Sequence, residues 1–309
     1  MRIFSTYCLI FLFAFSLLSV SCHSTKEPEK TDTSEIKTVV DEPFYQPEHK
    51  EIIKLFGSRS AQENTPIKIV SIAPSTTELL YEYGVGEFIV GATSPHNYPP
   101  DAENLPSIGE LTLDKEKIIR LKPDILIGEK NLYAGQSEII TDLGIPVLLF
   151  DTRSVNDLWY DLRVLDEIFK LQKAESLMNS TLESLDSLNK IENPPKVAAI
   201  ISSTPLILAA GDSYFGNLIT VAGGKLITDT TPGDYITLSR EDLIRLDPEI
   251  ILCTFDGIRD DLIADLTLEN VTAIKENRIF SMDPDIVLRP TLRSISEGAV
   301  KMKLLFSEK

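Results

Sequence analysis

The stretch LDKEKIIRLKPDILIG, at 113–128, occurs a second time as LSREDLIRLDPEIILC, at 238–253. Seven of the sixteen positions are identical, at a constant offset of 125 residues. In each copy a polar residue precedes a short helical pattern, a proline ends it, and an apolar run typical of a strand follows. This repeat predicts a chain built from two related lobes.

The sequence around both copies alternates between strand and helix patterns. Short apolar runs typical of strands are IKIVSI, EFIVGAT, DILIG and PVLLFD in the first half, and KVAAIIS, EIILCTF and RIFSMD in the second. Alternation of this kind favours a mainly parallel sheet flanked by helices. We therefore expect an α/β fold with an N-terminal lobe at 65–151 and a C-terminal lobe at 193–309.

The segment between the lobes is different. From residue 155 to about 189 there is no glycine or proline, and leucines recur at helical spacing. Ser154 and Asp157 form a capping pair at its start, and NPP at 193–195 ends it. The pattern predicts one connecting helix within 152–192. At 1.5 Å per residue it would be about 50 Å long.

Other helix boundaries carry equally local signals. Ser75 and Glu78 have the spacing of a capping box, and Gly84 suits the end of the helix that follows. Asp114 is placed to cap the helix of the first copy. Ser239, with Asp242 three residues later, is placed to cap the helix of the second.

The N-terminus has the pattern of an exported protein. Arg2 precedes an apolar run that is too short for a confident membrane span, so residues 1–21 are predicted to be a signal peptide. The run ends in LLSVSC, which resembles the lipobox of bacterial lipoproteins and makes Cys22 the predicted acylation site. The alternative is ordinary secretion with Cys22 removed. Residues 22–64 are polar and predict a flexible tether, in which IIKLF at 52–56 could form a short helix.

Charge and cysteine content exclude several classes of partner. The chain has 309 residues and a formal net charge of −17, so a nucleic acid backbone is an unfavourable partner. Cys8 belongs to the signal and Cys22 to the lipobox, which leaves Cys253 in an apolar run. A single buried thiol predicts neither a disulfide framework nor a zinc site.

The chain also lacks the common catalytic motifs. Of its three histidines only His96 lies in the predicted folded part, which disfavours a multi-histidine metal site. GDSY at 211–214 resembles a lipase nucleophile motif, but no histidine follows residue 96 to act as its base. Dinucleotide-binding and P-loop motifs are absent from the sequence. We expect a protein that is not an enzyme and has neither a cofactor nor a metal site of its own.

Several phrases together resemble one family of binding proteins. They are IVSIAPSTTELLYEYG, NYPP, LKPDILIG, AGG, SREDLIRLDPEIIL and LRPTLR, and they cover nearly all of the chain from residue 66 onward. With two lobes, a long connecting helix and a lipoprotein signal, they resemble the solute-binding proteins of ABC importers for vitamin B12, haem and iron–siderophore complexes. The resemblance implies capture of a metal chelate between the lobes, outside the cytoplasm, and its delivery to a permease dimer.

The resemblance also gives the repeat a function. In this family each lobe presents a surface carboxylate that docks onto arginines of one permease subunit, and Glu116 and Glu241 occupy the matching positions. Two equivalent lobes would then meet a two-fold symmetric permease. The alternative is that a glutamate in a first helical turn only interacts favourably with the helix dipole, which contributes about 0.3–1 kcal/mol.

Candidate ligand residues follow from the same resemblance. By position, the cleft would be lined by His96, Tyr98, Tyr235, Asp285 and Arg289. Tyr235 could stack on a flat macrocycle and Arg289 could pair with a polar group of the ligand. Alternatively each is an ordinary loop residue, and Arg289 ties the last loop to its lobe.

The ligand itself is left open by these residues. Glu110 stands where the family has another aromatic pocket residue, which weakens the case for cobalamin. A ferric siderophore, haem or a metal oxyanion are the other candidates. We expect a monomer on the periplasmic or cell-surface side of a membrane, held there by its lipid. The alternative function is a lipid-anchored surface adhesin on the same fold.

Overall fold

The structure is a computed structural model that describes residues 46–57, 66–110, 112–133 and 136–308, without the side chains of residues 133 and 137. The predicted signal peptide, the acylation site at Cys22 and the tether apart from 46–57 lie outside these residues, so those expectations stay predictions. No helix in the described part of the chain is long and apolar enough to cross a membrane.

The first lobe has a four-stranded sheet in the order β2-β1-β3-β4, and every neighbouring pair of strands is parallel. Its strands are β1 (Ile69–Ser71), β2 (Ile89–Ala92), β3 (Ile125–Glu129) and β4 (Val147–Phe150). The helices of this half of the chain are α1 (Pro47–Gly57), α2 (Pro74–Tyr83), α3 (Lys115–Leu121), α4 (Lys130–Tyr133) and α5 (Ser137–Asp142). Short 3₁₀ helices span Gly86–Phe88 and Pro100–Asn104.

The second lobe has a six-stranded sheet in which β10-β9-β5-β6-β8 are neighbours and β7 also pairs with β5. Its strands are β5 (Lys196–Ser203), β6 (Leu206–Ala209), β7 (Lys225–Leu226), β8 (Tyr235–Thr237), β9 (Ile250–Cys253) and β10 (Ile279–Ser281). The β10, β9, β5 and β7 pairings are parallel, whereas β6 is antiparallel to both β5 and β8. The predicted class, two α/β lobes with mainly parallel sheets, is confirmed.

The remaining helices connect the lobes or surround the second sheet. They are α6 (Val155–Phe169), α7 (Ala174–Asp186), α8 (Tyr214–Val221), α9 (Arg240–Leu246), α10 (Ile258–Ala264), α11 (Thr272–Lys275), α12 (Pro284–Val287) and α13 (Val300–Ser307). A 3₁₀ helix spans Leu266–Leu268, and a π-helix at Ser294–Ala299 runs directly into α13.

The two copies of the repeat fold alike. Helix α3 begins after Asp114, whose side chain accepts a hydrogen bond from the amide of Lys117, and α9 begins after Ser239, which caps in the same way with Asp242 completing a capping box. Both helices end at a residue in the left-handed region, Lys122 at φ 49° and Asp247 at φ 45°, directly before a proline. The predicted caps at both copies are confirmed.

Equivalent side chains also fix each helix–strand unit to its sheet. Ile118 of α3 and Leu243 of α9 are both 0% exposed. In each lobe a carboxylate just before the following strand accepts a backbone N–H at the start of the first strand. In the first lobe Lys68, the residue before β1, donates to Asp124 at 2.9 Å. In the second lobe Lys196 donates to Glu249 at 2.8 Å. The duplication therefore extends from the sequence to individual hydrogen bonds.

The prediction of one continuous connecting helix is wrong. Helix α6 ends at Phe169, and Lys170 and Gln172 adopt positive φ angles of 58° and 55° before α7 begins. The carboxylate of Asp166 accepts hydrogen bonds from the backbone N–H groups of Lys173, at 2.8 Å, and Ala174, at 3.0 Å, and so caps the start of α7.

The turn between the two helices lets the second one bury its apolar side chains. Met178, Leu182 and Leu185 of α7 are 0% exposed. Helix α7 contacts α13 and the π-helix of the second lobe, so the hydrophobic effect favours the turn that brings it there. The predicted capping pair of Ser154 and Asp157 at the start of α6 is confirmed, with an N–H···Oγ distance of 3.1 Å.

The predicted capping box of Ser75 and Glu78 is also wrong. Helix α2 begins at Pro74, its N-cap is Ala73, and no side chain caps it. Glu78 is 0% exposed and is hydrogen bonded to the second lobe instead. Gly84 does end this helix in the left-handed conformation, at φ 96°, as predicted.

Part of the segment predicted as a flexible tether is folded. Helix α1 packs on α6 and β4 and buries Phe56 and His49, which are 2% and 3% exposed. Nδ1 of His49 lies 2.8 Å from the Tyr160 hydroxyl, and Nε2 lies 3.0 Å from the Leu149 carbonyl oxygen. Burial lowers the pKa of His49. The short helix that IIKLF at 52–56 allowed is present as part of α1, and the prediction of a flexible tether is wrong for residues 47–57.

The lobes share one continuous apolar core. A single cluster of buried side chains includes Ile127 of β3, Leu165 of α6 and Leu252 of β9. Smaller clusters lie on the other face of each sheet. Helix α6 thus contributes to the interiors of both lobes, which resists their separation.

Candidate functional site

The two lobes are joined by a buried ion pair. The carboxylate of Glu78, on α2, accepts hydrogen bonds from Nε of Arg293 at 2.6 Å and from Nη2 at 3.0 Å. The hydroxyl of Thr291 donates to the same carboxylate at 3.3 Å. Glu78 is completely buried, so this bidentate pair is shielded from solvent and has a strong geometric preference.

A second arginine extends the contact. Nη2 of Arg289 donates to Asp285 at 2.6 Å, and Nη1 donates to the side-chain oxygen of Asn97 at 2.9 Å. Asn97 in turn donates to Asp285 at 2.7 Å. Nη1 of Arg289 also lies 3.7 Å from Glu78. These contacts connect the loop after β2 to α12 and to the segment that follows it. We call Glu78, Asn97, Asp285, Arg289 and Arg293 the interlobe network.

Glu82 lies one helical turn after Glu78 and holds the same segment. Its carboxylate oxygens accept the backbone N–H groups of Leu292 and Arg293, both at 2.9 Å. Burial raises the pKa of Glu82 to about 7, assisted by the charge of Glu78 and opposed by the two amide hydrogen bonds. Both glutamates lie on one face of α2, since residues four apart are neighbours on a helix.

Tyr98 lies beside the interlobe network. The guanidinium carbon of Arg293 is 3.9 Å from the centre of the Tyr98 ring, which is a cation–π contact. Tyr98 is still 36% exposed, so part of its ring is accessible. Of the predicted ligand residues, the structure therefore brings together Tyr98, Asp285 and Arg289.

Both ring nitrogens of His96 lie within hydrogen-bond distance of carbonyl oxygens of its own loop. Nδ1 lies 3.2 Å from the carbonyl oxygen of Thr93, and Nε2 lies 3.1 Å from that of Leu105. A neutral imidazole can donate to only one of them. His96 thus links the two ends of the 93–105 loop that carries Asn97 and Tyr98, whereas its predicted role towards a ligand stays a prediction.

Tyr235 and Glu110 stand apart from the interlobe network. Tyr235 begins the edge strand β8 and is 53% exposed. Glu110 is exposed in the loop after β2. Within the described residues, no hydrogen bond, ion pair or ring contact joins either side chain to the interlobe network. Both have surface available to a ligand.

A further salt bridge joins the lobes close to Tyr235. Arg153 precedes α6 and donates to Asp151 at 2.9 Å and to Asp234 at 2.8 Å. Asp234 is the residue before Tyr235. These side chains are partly exposed, so this bridge is weaker than the buried pair at Glu78.

Two carboxyl groups near the end of the first sheet are shielded from solvent: Glu129 is half-buried and Asp161 is buried. Glu129, at the end of β3, accepts a hydrogen bond from Ser75 at 3.2 Å, and burial raises its pKa to about 8. Burial also raises the pKa of Asp161, whose carboxylate accepts a hydrogen bond from Thr152 at 2.5 Å. The described part of the chain has no group of three or more His, Cys, Asp or Glu residues arranged to hold a metal ion.

The two predicted docking glutamates occupy matching surface positions. Glu116 is the second residue of α3 and Glu241 is the second residue of α9. Both are exposed. Within the described residues, no hydrogen bond or ion pair joins either glutamate to the interlobe network.

The central residues of the interlobe network are not predicted from the sequence. The pattern predicts a capping role for Glu78, and it predicts no role for Asn97 and Arg293 or for the adjacent Glu82. One available signal was the spacing of the two glutamates, which places both on one helix face, and another was the pair of arginines in LRPTLR. Neither signal indicates that the two segments meet.

Residues 69–286 match the family described as periplasmic binding protein. This chain belongs to that family. The binding protein is 27% identical over 250 residues to the ABC transporter substrate-binding lipoprotein YvrC of Bacillus subtilis, covering 77% of this chain and 79% of YvrC. It is 25% identical over 251 residues to the vitamin B12-binding protein of Vibrio parahaemolyticus, covering 79% and 91% of the two chains.

A solved structure has the same architecture. The possible iron-binding periplasmic protein of Staphylococcus epidermidis superposes with a TM-score of 0.70 at 25% identity, covering 78% of this chain and 98% of that one. The predicted family and fold class of this binding protein are confirmed. Because its relatives are binding proteins, the expectation that it is not an enzyme agrees with its family.

Proposed function

We propose that this chain is the extracytoplasmic solute-binding component of an ABC importer, which captures a metal chelate between its lobes and delivers it to a permease. The observation that carries the proposal is the duplicated helix–strand unit, which presents Glu116 and Glu241 at the same exposed position of two lobes. The relatives named above are a substrate-binding lipoprotein, a vitamin B12 binder and a possible iron binder, which supports a metal-chelate ligand.

Within this proposal, the predicted ligand residues divide into two groups. Tyr98, Glu110 and Tyr235 keep exposed surface and would contact the ligand, with the tyrosines stacking on a flat face. His96, Asp285 and Arg289 are held by hydrogen bonds within the protein. They would keep the ligand-contacting loops in position, or exchange a protein partner for a ligand group.

The proposal extends to the ends of the chain and to its partners. Acylation of Cys22 would anchor the protein in a membrane. The permease dimer would be the macromolecular partner of a monomeric binding protein. The binding protein has a net charge of −17, which suits docking onto basic residues of a permease and disfavours nucleic acid as a partner.

Purification from the native host tests the ligand class. We expect an absorbance spectrum and mass typical of a corrinoid, a haem or a ferric siderophore at about one equivalent per chain. Titration of the ligand-free protein with cyanocobalamin, haemin and a ferric siderophore, followed by calorimetry, then ranks the three. If none co-purifies and none binds, the proposal of a metal-chelate binder is refuted.

A further inference from the structure

The seven identities between the two repeat copies divide into two groups. Four lie where folding accounts for them: two leucines that are buried or half-buried, the proline after the helix, and the isoleucine that begins the strand. The other three are exposed in both copies. They are the pairs Glu116 and Glu241, Ile119 and Ile244, and Arg120 and Arg245.

The three exposed identities share one helix face. In α3 they are the second, fifth and sixth residues, and in α9 they occupy the same places. Residues at i, i+3 and i+4 are neighbours on a helix surface. Each lobe therefore presents the same compact surface of one acidic, one aliphatic and one basic side chain, which we call the Glu–Ile–Arg face.

Packing within the folded chain does not explain why the Glu–Ile–Arg face is repeated. Ile119 and Ile244 are 52% and 40% exposed, while the preceding residues, Ile118 and Leu243, already anchor each helix to the core. Isoleucine also has a lower helix propensity than alanine, so it does not stabilise an exposed helix.

An internal salt bridge does not account for the face either. In the described part of the chain, neither Glu116 nor Glu241 forms an ion pair with the arginine four residues later. Arg245 is paired with Asp242 at 2.7 Å. A partner that meets both lobes in the same way accounts for the repetition of all three exposed residues.

We propose that Ile119 and Ile244 are equivalent apolar anchors for docking onto the permease dimer, each between a docking glutamate and an arginine. This inference rests on the proposed function. A homodimeric permease has two identical surfaces, so each surface needs the same contacts from one lobe. The complementary surface on each subunit would have a cation for the glutamate, an apolar depression for the isoleucine, and a carboxylate or carbonyl oxygen for the arginine.

Burial of an isoleucine at the centre of such a contact excludes water from the neighbouring ion pair. An ion pair that is shielded in this way is stronger and less sensitive to salt than an exposed one. The aliphatic residue would therefore contribute affinity of its own and strengthen the contact made by the glutamate.

Binding to proteoliposomes that contain the permease–ATPase complex of the same host tests the inference, with empty liposomes subtracted. The variants are Ile119→Ser, Ile244→Ser and their combination, in the full mature chain. Leu304→Ser is the matched control, because Leu304 is 49% exposed on α13 and lies outside the repeat. Each single change at isoleucine should weaken docking roughly 3- to 10-fold, and both together roughly 10- to 100-fold.

Several readouts separate this inference from its alternatives. Ligand affinity and thermal unfolding should not change, because the isoleucines are exposed and remain outside the interlobe network. The loss of docking affinity in the isoleucine variants should persist at high salt. The loss of docking affinity in the Glu116→Arg/Glu241→Arg variant should instead be largest at low salt. Wild-type docking by the double isoleucine variant, with the glutamate variant impaired, would overturn the inference and leave the proposed function intact. Failure of the wild-type chain to bind the permease would overturn both.

Discussion

Replacement of Glu78 by alanine should destabilise the protein because this residue is the anion at the centre of the interlobe network. Its buried carboxylate contacts Arg293 at 2.6 Å and 3.0 Å and Thr291 at 3.3 Å. The side chains of Arg293 and Arg289 are only 11% and 9% exposed. After the substitution two guanidinium groups would stay largely buried without their shared carboxylate.

The loss in free energy of unfolding depends on which partners remain for the two arginines after Glu78 is removed. Loss of one partner of a buried ion pair costs about 3–5 kcal/mol. Arg289 would keep Asp285, and Arg293 would keep the ring of Tyr98. We therefore expect a value near the lower end, about 3 kcal/mol, which lowers the melting temperature of a domain of this size by about 6–12 °C.

The measurement is thermal and urea unfolding followed by circular dichroism, with Glu87→Ala as control. Glu87 is an exposed glutamate of the same lobe, and its removal should change the free energy of unfolding by less than about 0.5 kcal/mol. Arg293→Ala should also destabilise, since it leaves Glu78 buried without its main cation. The double variant should lose less than the sum of the two single losses, because the two groups are coupled.

A melting temperature of Glu78→Ala within about 2 °C of the wild-type value would refute this reasoning. It would mean that the buried pair contributes no net stability, which happens when the desolvation of two charges cancels their attraction. If the double variant lost as much free energy of unfolding as the two single variants together, Glu78 and Arg293 would not be energetically coupled in solution.

Three further predictions concern the ligand, the permease and pH. Tyr235→Ala should weaken ligand binding by roughly 1–3 kcal/mol, the range for aromatic stacking, without a change in melting temperature; unchanged affinity in calorimetry would remove Tyr235 from the site. The Glu116→Arg/Glu241→Arg protein should bind ligand normally but fail to support uptake into proteoliposomes with the permease, because each arginine meets like charge; normal uptake would show that the glutamates only favour the helix dipole. The pKa of Glu129 is raised from 4.5 to about 8, so the folded protein binds this proton more tightly than the unfolded chain does. The contribution of this proton to stability is complete below pH 4.5 and is lost as the pH rises towards about 8. The free energy of unfolding, measured with urea, should therefore fall less over this interval in Glu129→Gln than in the wild-type protein. Identical dependence on pH in the two proteins would contradict the raised pKa.

Much of the fold could be predicted because its signals are local. The caps at Asp114, Ser154 and Ser239 and the helix end at Gly84 were all visible in the sequence, and the structure has each of them. A cap depends on a few adjacent backbone groups, so a short segment contains most of the information. The repeat added a second, independent example of one unit and so indicated two lobes.

Local signals failed where a distant partner competes for the same side chain. Ser75 and Glu78 have the spacing of a capping box, yet Glu78 turns to Arg293 of the other lobe, because a buried guanidinium is a stronger partner than a backbone amide. The sequence has no glycine or proline near the break after Phe169, so no local pattern predicts it. It forms because Asp166 caps the next helix and because that helix buries its leucines against the second lobe.

The candidate site shows the same division. Through its resemblance to a family, the sequence predicts which loops would face a ligand cleft, and this stays a prediction. It also predicts that Glu116 and Glu241 lie on exposed helix starts, where the structure has them. It could not show that Arg289 would be occupied by Asp285 and Asn97 while Tyr235 keeps half of its surface exposed. Those outcomes depend on which loops approach one another.

By itself the sequence determined the two-lobed α/β architecture, the ends of most helices and the duplicated surface, since each of these depends on periodicity and on neighbouring residues. The tertiary structure alone decided where the connecting helix breaks, that α1 packs on α6, and which charges join the lobes. The physical reason is that burial changes the preferences of a side chain: a carboxylate such as Glu78, which would face water on an isolated helix, must find a cation once both lobes close over it.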